Sequence, residues 1–433
     1  MGRRFCMTDI FITELKINKV RHLKDIHIPI SEKTRKHLIL TGKNGSGKTS
    51  LLEGILEYFA ILDYTTLSML DRHRDFINVH KNELTRYEDR LKEDPDNSAF
   101  LMQINEAKRN IQSNVEIIAK YEGKIKPSFN TLLNFDEYHE NGKYIIVYFD
   151  ANRTSHMDIP NGIEKTRLLP TKEIRANANA VFLKYLVDLK AQQMFAQQDG
   201  DKQTANDIDL WFKNLEQCFK TLFENDKLVL KFDYKDYNFI IEEPGKESYT
   251  LNTLSSGYSA ILHIITELIM RMLAAKAPLY DIQGIVMIDE IDVHLHISLQ
   301  KKILKFLTEL FPNIQFIITT HSPFVINSID NTIVYDVEKD ILVQDLSLFP
   351  TQAILEGYFE IDQYSYLFKE KLQEYQNLSE NINKLSKEEI IKFEKLKEEF
   401  SRIPKENTKE LQLKLADIEL NMILSGENDD INY

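Results

Sequence analysis

The chain of 433 residues is poor in the residues that cross-link and punctuate proteins: two cysteines, 14 glycines, 11 prolines and one tryptophan. Cys6 and Cys218 lie far apart and match no metal or redox spacing, so a disulfide scaffold is excluded and a reducing, cytoplasmic setting is expected. No run of about 18 apolar residues occurs. The longest candidate, around Ile261–Met270, is broken by His263 and Glu267 and followed by Arg271, so no membrane span is expected. The opening MGRRFCMTDI has two arginines but no apolar stretch behind them, unlike a secretory signal. Excess positive charge is lacking as well. A net charge of −13 argues against a surface coated in phosphate-binding cations, though one local basic groove remains compatible with it.

What is present is enough for a core: 43% hydrophobic and 10% aromatic residues. DIFITELKINKV and DIHIPI are β-rich runs, and HLILTG is a buried strand ending in a glycine turn. From Lys48, apolar residues at Leu51, Leu52, Ile55, Leu56 and Phe59 predict an amphipathic helix. YIIVYF (144–149), GIVMI (284–288) and QFIITT (315–320) read as strands buried on both faces. Helical patterns fall between them at 172–223, Ile261–Leu273 and Ser298–Leu310, and two strands are expected within 227–243. Alternating strands and helices imply an α/β core on a parallel sheet.

Two stretches depart from that alternation. Residues 67–126 are charge-rich, with one seam at Leu84, Tyr87 and Leu91 and another at Leu101, Ile104, Ile111, Val115, Ile118 and Ile125. Asp94-Pro95-Asp96-Asn97 between them is a turn, which predicts an antiparallel helical hairpin with arms of about 40 Å. A helical subdomain folded against the main body fits the same pattern. After Thr351 only helices are expected: one through Leu367, Leu372, Tyr375, Leu378, Ile382 and Leu385, then Ile390–Phe400 and Glu410–Ile423, with Pro404 as a breaker and SGENDDINY as an acidic tail. The expected divisions are 1–66, 67–126, 127–350 and 351–433.

The scarce glycines cluster where chemistry needs them. Gly42-Lys43-Asn44-Gly45-Ser46-Gly47-Lys48-Thr49-Ser50 contains GxxxxGK[ST], between an apolar strand and a helix. Glycines let successive N–H groups turn inward as an anion nest, and the helix beginning at Lys48 aims its positive end at phosphates. Lys48 is expected to reach the β- and γ-phosphates of ATP, and the Thr49 hydroxyl to ligate Mg²⁺. Strand 284–288 ends in Asp289-Glu290. The aspartate is expected to hold Mg²⁺, and Glu290, pointing the other way, to deprotonate the attacking water. The next buried strand ends at Thr319-Thr320-His321-Ser322-Pro323, presenting His321 at the same edge of the sheet. Leu254-Ser255-Ser256-Gly257-Tyr258-Ser259 is a serine-rich turn opening a helix, a second anion site.

Together these residues resemble the ABC-type ATPases of the branch containing SMC proteins, RecF and the OLD family, over about residues 9–66 and 140–345. Gly42–Thr49 matches Walker A, Ile285–Glu290 Walker B, LSSGYS the signature and His321 the switch histidine. The resemblance implies a P-loop ABC-type head with an inserted hairpin and a helical C-terminal region. It implies a homodimer or higher homo-oligomer in which Ser255, Ser256 and Gly257 of one chain contact ATP bound by the other. Arg21 sits where such proteins often carry an arginine near the nucleotide. There are departures: Ser256 stands where transporters carry glycine, Tyr258 where a polar residue is usual, and His296 replaces the D-loop aspartate. His294 and His296 suit a D-loop better than a metal pair. No Q-loop glutamine follows strand 144–149, where Asn152 or Arg153 stands instead.

OLD nucleases carry a TOPRIM domain after the ATPase. Here the residues beyond Asp345 offer no strand-end acidic cluster, so the chain is not expected to be a nuclease itself. Relatives of this build act beside a separate effector, often a nuclease, as in the Septu, PARIS and retron-associated antiviral systems. An ATP-hydrolysing sensor or scaffold in phage defence is therefore the first expectation. A RecF-like repair ATPase binding nucleic acid across a head dimer is the alternative, weakened by the acidity; a transporter subunit is a distant third.

Overall fold

The computed structural model describes residues 9–63, 66–168, 173–277, 282–344, 346–358, 365–382, 385–403, 411–418 and 420. The chain forms two compact units, Met1–Thr351 and Gln352–Tyr433. A six-stranded sheet organises the first. Its strands, in spatial order, are Ile341–Gln344 (β12), Thr332–Asp336 (β11), His37–Thr41 (β3), Ile314–Thr319 (β10), Gln283–Ile288 (β9) and Tyr144–Phe149 (β5). All are parallel except β12, which returns antiparallel from β11. The five parallel strands are buried at every position, as expected for strands covered on both faces. Because they run the same way, the ends of β3, β5, β9, β10 and β11 share one edge.

A second, antiparallel sheet has the order Leu23–Pro29 (β2), Ile12–Val20 (β1), Ile125–Phe129 (β4). Helix α1 (Lys48–Phe59) lies between the two sheets. Its Leu51, Leu52 and Ile55 share one core with Ile12, Leu15 and Ile17 of β1 and with Leu38, Leu40, Ile285, Met287 and Ile317 of the large sheet. The buried Gln315 side chain links the sheets, accepting from Ile12 N (2.7 Å) and donating to Ile12 O (2.9 Å). Its amide satisfies backbone groups that burial would otherwise strand.

Helices α2 (Ser68–Glu93) and α3 (Ser98–Glu122) follow α1, joined by the turn at 94–97. Ile104 and Ala107 are buried, and Ile111, Asn114, Ile118 and Tyr121 are half-buried. That is a true 3–4 spacing. Leu101 and Val115, expected on the seam, are 46% and 43% exposed. Choosing the largest apolar residues, rather than the register that also uses Ala107 and Asn114, misplaced them. Ile125 is not helical either: it opens β4 and is fully buried.

The chain continues through α4 (Phe135–Glu140) and β5 to α5 (Phe182–Asp199) and α6 (Lys202–Phe223). Asp201 caps α6 by accepting from Thr204 N at 3.1 Å. A third sheet, of Val229–Asp233 (β6), Asn238–Glu242 (β7) and Tyr249–Thr250 (β8), precedes α7 (Ser256–Ala274). Among the described residues α7 is the one helix long and apolar enough to cross a membrane, and 83% of that stretch is buried inside the fold. Its Glu267–Arg271 pair (2.7 Å) is buried, and the carboxylate also accepts from Ala178 N and Asn179 N. The expected helix Ser298–Leu310 is divided by Lys301-Lys302 into α8 (Ile297–Gln300) and α9 (Ile303–Leu310). The short α10 (Pro323–Ile326) begins after His321, with Ser322 as its cap.

Past a short turn at Thr351–Ala353 (α11), the second unit has α12 (Tyr366–Glu380) and α13 (Lys387–Ser401). Tyr375, Phe393, Leu396, Phe400 and Ile418 form its core. Ser386 and Glu389 form a reciprocal capping box that starts α13. α12 stops at Glu380, so Ile382 and Leu385 lie beyond it although they pack on the same core. Of the helix expected at 410–423, residues 411–418 and 420 are described and helical. Pro404, the tail from Ser425 and Cys6 lie outside the described residues.

Candidate nucleotide site

The loop between β3 and α1 is shaped by its glycines. Gly42, Gly45 and Gly47 all have positive φ (132°, 83° and 105°), a backbone that L side chains rarely adopt. Gly47 is the N-cap of α1, so the loop feeds directly into a helix N-terminus. Lys48 is 5% exposed, and its Nζ donates to Gly42 O (2.9 Å) and Lys43 O (3.0 Å), folding the side chain back over the loop. Burial lowers its pKa, while Glu290, Asp289 and Asp292 oppose that shift. Asn44 is exposed at the loop tip, and Ser46 and Ser50 are buried.

Thr49 lies 240 residues from Asp289, yet its Oγ1 donates to the aspartate at 2.9 and 3.2 Å. Asp289 is 4% exposed and also accepts from Thr319 Oγ1 at 2.6 Å. Glu290 does not alternate off a strand, as the sequence led us to expect. It lies past the end of β9 in a left-handed turn (φ 46°), with its N–H donated to Thr319 Oγ1 at 2.7 Å. His321 is half-buried beside this cluster. Its pKa is lowered by burial and then by the neighbouring Lys48. The edge thus gathers Lys48, Thr49, Asp289, Glu290 and His321 from three strand ends.

Ser255 and Ser256 are exposed at the N-terminus of α7, and no described hydrogen bond joins them to loop 42–49. Gly257 is buried against the turn after Glu290: a Cβ there would meet His294 O at 2.7 Å. His294 has φ 65°, and His296 caps α8 through Ser298. No group of three or more metal-ligating side chains occurs among the described residues. Arg21 is exposed, 3.8 Å from Glu53.

Several supporting residues were not assigned from sequence, and Arg153 was named there only as a stand-in for the Q-loop glutamine. Thr319 ties Asp289 to the backbone of Glu290, and Thr320 hydrogen-bonds Asp292. Both threonines precede His321, and their pairing at a strand end is the signal that could have found them. Glu338, beyond β11, pairs with Lys43 at 2.8 Å. Arg153 is 4% exposed and donates to the carbonyls of Asp289 (2.7 Å) and Glu290 (2.9 Å). Burial pulls its pKa down to about 10, against the pull of Asp292, Asp289 and Glu290.

The donor set can be tested against Mg-ATP. Ser46 Oγ and His321 Nε2 are buried polar atoms without partners, the loop's positive-φ glycines lead into a helix N-terminus, and Lys48 Nζ is hydrogen-bonded by carbonyls alone. Thr49 and Asp289 offer the hard oxygens that Mg²⁺ prefers. The residues fit a triphosphate with its cation.

A phosphate-type loop at the carboxyl edge of a parallel sheet, with acidic residues at the end of the next strand but one, defines an α/β P-loop ATPase head. The chain belongs to the AAA ATPase domain family, whose profile matches residues 11–326. It is 36% identical over 152 residues to the "Retron Ec83 probable ATPase" of Escherichia coli; the match covers 32% of this chain and only 27% of that relative. It is 24% identical over 340 residues to the Septu protein PtuA of Bacillus thuringiensis, covering 76% of this chain and 77% of that one. A solved Smc head domain from Pyrococcus furiosus, with an extended coiled coil and bound to the C-terminal domain of ScpA, overlaps at a TM-score of 0.33 and 12% identity, over 81% of this chain and 100% of that one.

Proposed function

We propose that the chain binds and hydrolyses ATP and acts as the ATP-switched partner of a separate effector protein in antiviral defence. The observation that carries the first part is the Thr49–Asp289 contact, made between residues 240 apart in sequence and close to Lys48 and Glu290. In this reading the loop N–H groups and Lys48 bind the β- and γ-phosphates, and Lys48 exchanges two carbonyl acceptors for charged ones. Thr49 and Asp289 hold Mg²⁺, which neutralises phosphate charge when bound. Glu290 orients a water and takes its proton, and His321 Nε2 donates to an oxygen of the terminal phosphate. Ser255 and Ser256, exposed at the N-terminus of α7, and the buried Gly257 beside them close over the site of a second copy, so that ATP joins two heads. The relatives named for Septu and retrons support the defence role and the separate effector.

The test is a pair of variants in the full chain. Lys48→Ala is expected to weaken ATP binding more than tenfold. Glu290→Gln is expected to bind ATP normally, hydrolyse it about 100-fold more slowly or worse, and accumulate as a dimer in ATP on size-exclusion chromatography. Hydrolysis by Glu290→Gln at the wild-type rate would remove the general-base assignment. Failure to co-purify with any protein encoded beside it would remove the effector role.

A further inference from the structure

We infer that Arg153 is a positioning residue for hydrolysis, holding the backbone of the Asp289–Glu290 turn and so the aim of the Glu290 carboxylate. The inference rests on the proposed ATPase reading and adds a component to it. Nη1 of Arg153 donates to Asp289 O at 2.7 Å and to Asp150 O at 3.1 Å, and Nη2 donates to Glu290 O at 2.9 Å. One planar fork therefore bridges two successive carbonyls, those of both acidic residues. A guanidinium carries donors only, so it cannot take a proton from water. Its bonds here go to main chain, not to the carboxylates.

The held residue needs holding. Glu290 has φ 46°, a left-handed conformation that a glutamate adopts at a steric cost. Such a conformation persists when its surroundings over-determine it. Thr319 Oγ1 fixes the N–H of Glu290 and Arg153 fixes its C=O, gripping the residue from both sides. Arg153 is itself anchored by the strap that follows β5. Thr154 O pairs with His263 Nδ1 (2.9 Å), Ser155 N donates to Ser259 Oγ (2.9 Å), and Met157 and Asn252 exchange two hydrogen bonds (3.0 and 2.8 Å). His263 and Ser259 belong to α7, whose N-terminus carries Ser255–Gly257. The same strap therefore touches the carboxylate turn at one residue and the serine-rich helix at the next two.

The experiment places Arg153→Ala and Arg153→Lys in the full chain, each alone and combined with Glu290→Gln. It measures kcat and KM for ATP, single-turnover cleavage of radiolabelled ATP, binding of a fluorescent ATP analogue with Mg²⁺, and thermal unfolding. Arg153→Ala is expected to lower kcat about 100-fold, the scale of a small misplacement of a catalytic group, with nucleotide affinity within about threefold. Arg153→Lys, able to reach one carbonyl, is expected to recover part of that loss. On the Glu290→Gln background, Arg153→Ala is expected to change single-turnover cleavage by less than about threefold, because the residue acts through Glu290. Wild-type kcat in Arg153→Ala, an equal loss on both backgrounds, or a raised KM at unchanged kcat would each overturn the inference. Should the alanine variant fail to fold, Arg153→Lys on the two backgrounds makes the same comparison. A wild-type chain that neither binds nor hydrolyses ATP removes the proposed function and this inference together. A wild type that hydrolyses ATP no faster than Arg153→Ala removes this inference alone.

Discussion

His37 opens β3, at the far end of the strand from the phosphate-type loop, and is 6% exposed. Its Nδ1 accepts from Phe316 N at 3.1 Å, a bond that requires a ring unprotonated at that nitrogen. Burial first, and then the charge of Arg35, lower its pKa to about 4. The folded value is below the unfolded one, so the unfolded chain binds the proton more readily. The contribution to stability is complete above about pH 6.5 and is lost as pH falls toward 4, amounting to about 3 kcal/mol at most. His37→Asn keeps an acceptor near the Nδ1 position and cannot titrate. Between pH 6.5 and 4.5 the wild-type melting temperature is expected to fall more steeply than that of the variant; parallel slopes would show that His37 carries none of the acid sensitivity. The site contrasts with this position, because there the charges compensate one another. Lys48 loses solvation on burial but has four carboxylates near it, Glu290, Asp289, Asp292 and Asp336, which favour a cation where phosphate would bind.

At the scale of elements, the strands that end in the site were legible because each is a continuous apolar run with polar residues directly after it: HLIL before Gly42, IVMI before Asp289, and FIIT before His321. Burial on both faces leaves that pattern no alternative period. β11 and β12 went unassigned because TIVYDVEKDILVQ mixes charges into short strands at the sheet edge. Arg153 was legible only as a missing glutamine. Its partners are carbonyl groups, which every residue carries, so no side-chain pattern announces the contact. Gly257 shows the same limit in reverse: a glycine visible in sequence gets its meaning from His294 O, 37 residues away. Gly257→Ala would force the start of α7 off the 291–295 turn, since the new Cβ would lie 2.7 Å from that oxygen. The overpacking is expected to cost about 1–3 kcal/mol. Because no described hydrogen bond joins the start of α7 to loop 42–49, ATP affinity should stay within about threefold while hydrolysis falls at least tenfold. Titration with a fluorescent ATP analogue beside a phosphate-release assay separates the two; unchanged hydrolysis would mean the seat of α7 does not matter to the site.

Within the first unit, the described ties between the hairpin and the core lie near the hairpin's base. Leu67 and Leu70 belong to the core cluster, Glu122 O accepts from Asn18 Nδ2 at 2.9 Å, and Arg74 pairs with Glu122. The two helices also hold one another through His73–Asn114 beside Arg74 and, further out, through Lys108–Glu88. A polar pair inside a helical seam costs stability but fixes register, consistent with Asn114 standing where an apolar residue would bind more tightly. The outer arm also exposes apolar side chains: Val79 is 50% and Met102 70% exposed. An arm held by its own partner helix should be separable from the head. Replacing Lys81–Arg109 with a short Gly-Ser turn is expected to leave ATP affinity within about threefold and the melting temperature of the head within about 4 °C, the shift that roughly 1–2 kcal/mol produces in a domain of this size. The charge on the chain predicts how this should look in solution. With net −13 and pI near 5.4, the trimmed head should remain soluble at neutral pH, so loss of ATP binding cannot be put down to precipitation. If trimming abolishes ATP binding in soluble protein, the arm supports the site through the base contacts at Arg74 and Glu122, and the hairpin is part of the head instead of an appendage to it.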